Sequence, residues 1–90
     1  MKAVHMTPMV LGVTYSPIGK KQDVLEYMKN GKSYCASARV VKDRVTGDST
    51  SIEDDWKTDG VFCWSQETIY HFEKYNAPLA DEFLSHIIKN

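Results

Sequence analysis

Little in this chain marks a chemistry, and each absence sets a limit. No stretch approaches the roughly 20 consecutive apolar residues that a membrane helix needs. His5, Thr7 and Pro8 interrupt the N-terminal segment, which carries a single lysine, so a secretion signal is not expected and the cytoplasm is the default compartment. The two cysteines, Cys35 and Cys63, form neither a CxxC motif nor a Cys/His ligand spacing. Both lie in apolar, strand-like surroundings, where a free thiol behaves as a small hydrophobe. Buried thiols are therefore expected at both positions, with a disulfide or a reactive thiol as the alternatives.

Other motifs fail on spacing. Gly12 and Gly19, followed by Lys20, suggest a phosphate-binding loop, but six residues separate the glycines instead of four. Lys21 stands where the magnesium-binding hydroxyl belongs. Asp48, Glu53, Asp54, Asp55 and Asp59 lack the alternating acids, central glycine and terminal glutamate of a calcium loop. No small-residue loop or orienting group turns Cys35 or Cys63 with His71 or His86 into a thiolate–imidazole pair, and His5, His71 and His86 have no metal-site spacing. The two helical histidines are expected at the surface or at an edge. An enzyme is not expected, nor a cofactor or metal.

What is present is a core. Hydrophobic residues make up 42% of the 90, and ten are aromatic, enough for one compact domain spanning 1–90 with residues 1–8 loosely held. Residues 9–15 read as a strand with Gly12 a weak point, and Ser16, Pro17 and Gly19 as a turn. Val24, Leu25 and Met28 form one stripe of a helix over 20–30, which Asn30 and Gly31 stop. Residues 33–41 alternate as a strand, and 49–52 return after a turn at 45–48. Residues 53–59 read as an acidic loop, and 60–64 as a central strand. Ser65 caps a helix whose inner stripe holds Ile69, Phe72 and Tyr75 or Asn76. After a break at Asn76 and Ala77, a last helix opens at Pro78. Leu79, Phe83, Leu84, Ile87 and Ile88 form its broad stripe. The expected class is α+β: a small antiparallel sheet of three to four strands with three helices, two of them C-terminal.

Charge is arranged, although the net is only −1. Residues 20–44 hold seven Lys/Arg against three acids, while 45–59 hold five acids against Lys57. A dipolar surface of this kind can steer an oriented encounter with a charged protein. Within the acidic part lies Trp56, which either covers the core from a loop or anchors an interface, a role for which tryptophan is enriched. Asp48, Glu53, Asp54, Asp55, Trp56 and Asp59 are therefore the candidate partner-binding residues.

One resemblance covers about half the chain. Val45-Thr46-Gly47 is followed by Thr58-Asp59-Gly60, then Trp64-Ser65 and an aromatic helix ending at Tyr75. Leu79, Glu82-Phe83-Leu84 and His86-Ile87 complete the pattern, with Ala80 where proline would be expected. Residues 43–87 thus resemble small bacterial immunity-type proteins of toxin–immunity loci. The resemblance implies a protein that binds and blocks a cognate toxin, and no catalytic residue comes with it. Two alternatives stand beside it: a phage-encoded, anti-CRISPR-like inhibitor of a host defence complex, and a small nucleic-acid-associated regulator using the basic 20–44 segment. A pI of about 6.3 and the lack of a recognition motif argue against nucleic acid.

Overall fold

The computed structural model describes residues 1–5 and 15–89. The expected strand over 9–15, with Gly12 in it, lies outside the described residues up to Tyr15. The architecture is α+β: a four-stranded sheet, a separate two-stranded sheet and three helices, two of them C-terminal.

Strand β6 (Phe62–Ser65) is central, and all four of its residues are buried. On one side it pairs antiparallel with β5 (Trp56–Thr58), which pairs antiparallel with the edge strand β2 (Lys32–Cys35). On its other side it pairs parallel with β1 (Lys2–Val4), so that Val4 stands opposite Trp64. The sheet is therefore mixed and not purely antiparallel. Residues 2–4, expected to be loose, are held in its ladder.

Alternation along the strands sorts side chains to two faces. Val4, Phe62 and Trp64 point to the helices. There they join Val24, Leu25 and Met28 of α1 (Lys21–Lys29), Ile69 and Phe72 of α2 (Gln66–Tyr75), and Phe83 and Ile87 of α3 (Asp81–Lys89) in one core. The expected stripe of α1 is the buried one. Ser65 caps α2 as expected, accepting from the Thr68 amide. Pro78 precedes α3 instead of opening it; of the expected stripe Leu79, Phe83 and Ile87 join the core, Leu84 packs against it and Ile88 stays exposed. Trp64 is fully buried, packs 5.2 Å from the Phe83 ring and donates its indole N–H to Met28 O at 3.0 Å.

Gly31 ends α1 for a different reason than expected. It does not adopt a left-handed conformation. A Cβ there would stand 2.7 Å from Trp64 Cζ2 and 3.1 Å from Lys57 Cβ, so the chain leaves the helix by passing flat against the indole. The left-handed helix cap occurs at Asn76 instead, with φ 58°.

The strand expected over 33–41 is two strands in two sheets. Ser37 interrupts it: its amide donates to Asp55 Oδ1 at 2.9 Å and its hydroxyl accepts from Arg39 N at 3.1 Å. Such local hydroxyl bonds compete with a ladder. The chain resumes as β3 (Val40–Lys42), paired antiparallel with β4 (Ser49–Glu53). The acidic loop expected over 53–59 is mostly strand, because Trp56, Lys57 and Thr58 gain partners on both sides.

The same pairings fold the charge pattern back on itself. Strand β2 of the basic segment lies beside β5 of the acidic one, and β3 beside β4, so the two segments are neighbours in both sheets. No helix among the described residues is long and apolar enough to cross a membrane.

Candidate functional site

Three segments meet where β2 runs to β3, β4 runs to β5, and α2 begins. Asp54 N donates to Arg39 O and Gln66 N to Asp55 O, each at 2.9 Å. Asp54 Oδ1 accepts from Glu67 N, also at 2.9 Å, placing a carboxylate at the positive end of α2. Above this junction lies an open cavity of about 360 Å³ lined by His5, Ser37, Arg39, Asp54, Trp56, Ser65 and Glu67. Trp56 reaches it because its Cα partner is Ser65, on the sheet face opposite Trp64. The half-buried indole stands 78° to the His5 ring with centroids 5.9 Å apart. Glu67 is also held from outside by Arg44, at 3.3 Å.

The six candidate residues are thus only partly assembled. Asp54 and Trp56 share the cavity, and Asp55 supports it through Ser37. Asp48 is exposed in the β3–β4 turn, and Glu53 is exposed at the end of β4. Asp59 belongs to the helix side. Its Oδ1 accepts from Val61 N and Phe62 N at 2.9 and 2.8 Å, and its Oδ2 meets the Tyr27 hydroxyl and, at 2.7 Å, His86 Nε2. Three of the acids are therefore fasteners within the fold, which a charge count alone does not reveal. Arg39, Glu67 and His5 line the cavity without having been expected there. Their signal is long-range pairing, absent from any local pattern.

Burial by itself would raise the Asp59 carboxyl, but the donors from Tyr27, Phe62, Val61 and His86 outweigh it and bring it down to about 2. Burial and the same carboxylate push Tyr27 up to about 12. The signs give a stability profile. Asp59's contribution is complete above its unfolded value near ~4 and is lost as pH falls through about 2. Tyr27 favours its neutral form in the fold, so its contribution is complete below ~10 and is lost as pH rises through about 12. Urea midpoints measured across pH should show both limbs. Tyr27→Phe should flatten the alkaline limb and shift the acid limb upward; an unchanged alkaline limb would refute the assignment.

A second fastener sits at Asp43, which is 2% exposed. Its Oδ1 accepts from Val45 N and Thr46 N at 2.8 and 3.0 Å, and its Oδ2 from Tyr70 and Tyr75 at 2.7 and 2.6 Å. Burial opposes the charge, yet these donors hold the carboxyl well below the ordinary range. Lys74 Nζ completes the shell at 3.5 Å. Beside it His71, expected at the surface or at an edge, is fully buried. Its Nε2 accepts from Arg44 N at 3.0 Å while Nδ1 lies 2.8 Å from Glu67 O. Cys63 is buried as expected. Cys35 is exposed, because it sits on the edge strand beyond a bulge, and both thiols are free.

No group of three His, Cys, Asp or Glu residues among those described could hold a metal ion. Set against known proteins, the chain matches no family model, no curated sequence and no solved structure.

Proposed function

We propose that this protein is a protein-binding inhibitor of the immunity type, which blocks a partner through the surface around Trp56. The observation that carries the reading is the indole itself. It lies outside the core, half-buried in a polar cavity at a junction fixed by backbone hydrogen bonds. Around that junction Tyr34, Val40 and Ile52 are 55, 46 and 40% exposed. A rigid aromatic in a preformed recess, with apolar neighbours and a charged rim, is the arrangement of an interface centre. Exposed Glu53 supplies charge for steering, since the carboxylates of Asp54 and Asp55 are engaged by backbone amides.

Capture of a stoichiometric partner from the native host's lysate, identified by mass spectrometry, tests the reading and separates a toxin from a defence-complex subunit. Trp56→Ala should weaken that complex at least about tenfold, or ~1.4 kcal/mol. Glu53→Lys should act mainly on the association rate and its salt dependence. A complex indifferent to Trp56→Ala would place the interface elsewhere. A folded protein that captures nothing, yet is retained on DNA or RNA in a salt-dependent way, would replace the reading with nucleic-acid binding.

A further inference from the structure

The cavity beside Trp56 has a chemistry more specific than a generic interface. Two carboxylates line it, those of Asp54 and Glu67. Asp54 uses Oδ1 for the Glu67 amide, while no described residue donates to its Oδ2. Glu67 shares its carboxylate with an Arg44 side chain that is more than half exposed, at 3.3 and 3.4 Å, a loose contact that an incoming donor can replace. The indole of Trp56 supplies a flat aromatic surface beside these acceptors. Arg39 is the one cationic lysine or arginine in the lining, and its guanidinium has no partner among the described residues.

We propose that this recess receives a single arginine side chain from a protein partner, its guanidinium lying against Trp56 and donating to Asp54 and Glu67. The assignment rests on the protein-binding reading above and deepens it. An anionic group would face two carboxylates for one guanidinium. A lysine would present a compact, strongly hydrated charge to a wall that offers separated oxygens and a ring. Arginine alone among the side chains is planar, weakly hydrated, multiply donating and able to stack on an aromatic face. Arg39, at the rim, is then free to donate to a backbone carbonyl of the incoming segment.

The probe is N-acetyl-arginine amide, titrated into the intact protein and followed by indole fluorescence. Trp64 is fully buried and shielded from the probe, so the response reports Trp56, and Trp56→Phe should abolish it. A saturable change with a dissociation constant on the order of 1–10 mM is expected for so small a ligand. N-acetyl-lysine amide should bind at least about fivefold more weakly, and N-acetyl-glutamate amide should give no saturable response. Asp54→Asn and Glu67→Gln each keep the local hydrogen-bonding geometry and should each weaken arginine about fivefold, with unchanged circular dichroism. Glu26→Gln on the far side of α1 should have no effect. Equal responses to the arginine and glutamate amides, or an arginine response that never saturates, would overturn the assignment. If capture of the partner still depends on Trp56 in that case, the protein-binding reading survives and only the arginine pocket falls.

Discussion

Asp43→Ala should destabilise the protein by about 2–4 kcal/mol, because it strands two tyrosine hydroxyls and two turn amides around a position that is only 2% exposed. The damage should be local before it is global. Residues 43–47 are shaped by this one carboxylate: Val45 and Thr46 donate to it, while the Asp43 backbone closes the turn with Gly47 N at 2.8 Å and Asp48 O at 2.9 Å. The β3–β4 hairpin is attached to α2 through Asp43, through Arg44 N on His71, and through buried Val41. Amide exchange in residues 43–50 should therefore accelerate more than in β6. Asp43→Asn retains an acceptor for the two amides but cannot hold both hydroxyls as a charge does, and should cost less than alanine. A loss below about 1 kcal/mol for the alanine variant would show that the tyrosines and amides find substitute partners.

The second large effect concerns Trp64 and Gly31 together. Trp64→Ala removes the largest fully buried side chain and the indole bond to Met28 O, and should cost about 3–5 kcal/mol. Gly31→Ala forces a methyl group to within 2.7 Å of that ring and should cost about 1–3 kcal/mol by overpacking. The two should not add. With the indole gone, the new methyl group enters vacated space, so Gly31→Ala should become neutral or stabilising in the Trp64→Ala background. Urea unfolding of the four proteins in a double-mutant cycle measures the coupling, and strict additivity would mean that Gly31 is not constrained by the indole.

These two sites mark the boundary of what the residues announce by themselves. The α1 stripe of Val24, Leu25 and Met28, the Ser65 cap and the central β6 strand follow from local period and local hydrogen bonding, and the structure has them. Asp43 looked like one more charge in a basic segment, because its partners Tyr70 and Tyr75 lie 27 and 32 residues away. The break at Ser37 escaped for a related reason. Alternation persists in the side chains while the backbone changes partner, and the acceptor Asp55 lies 18 residues on. Of the candidate surface, Trp56 was legible as an aromatic among acids, but the sorting of those acids was not. Asp59 and Asp54 sit five residues apart in one acidic stretch, yet one fastens helices on one side of the sheet and the other caps a helix at the cavity.

The parallel pairing of β1 with β6 also governs how the molecule assembles in time. Lys2–Val4 cannot find its partner until Phe62–Trp64 has been made, so closing that ladder spans roughly sixty residues of chain, an entropic delay that the local hairpins escape. The β5–β6 pair, joined by a short turn, can form early and serve as the template. Strand β1, which precedes its partner by so much chain, is then among the last to be ordered. Until it is, one edge of the central strand stays open, and that interval is when the chain is most exposed to pairing with another copy of itself.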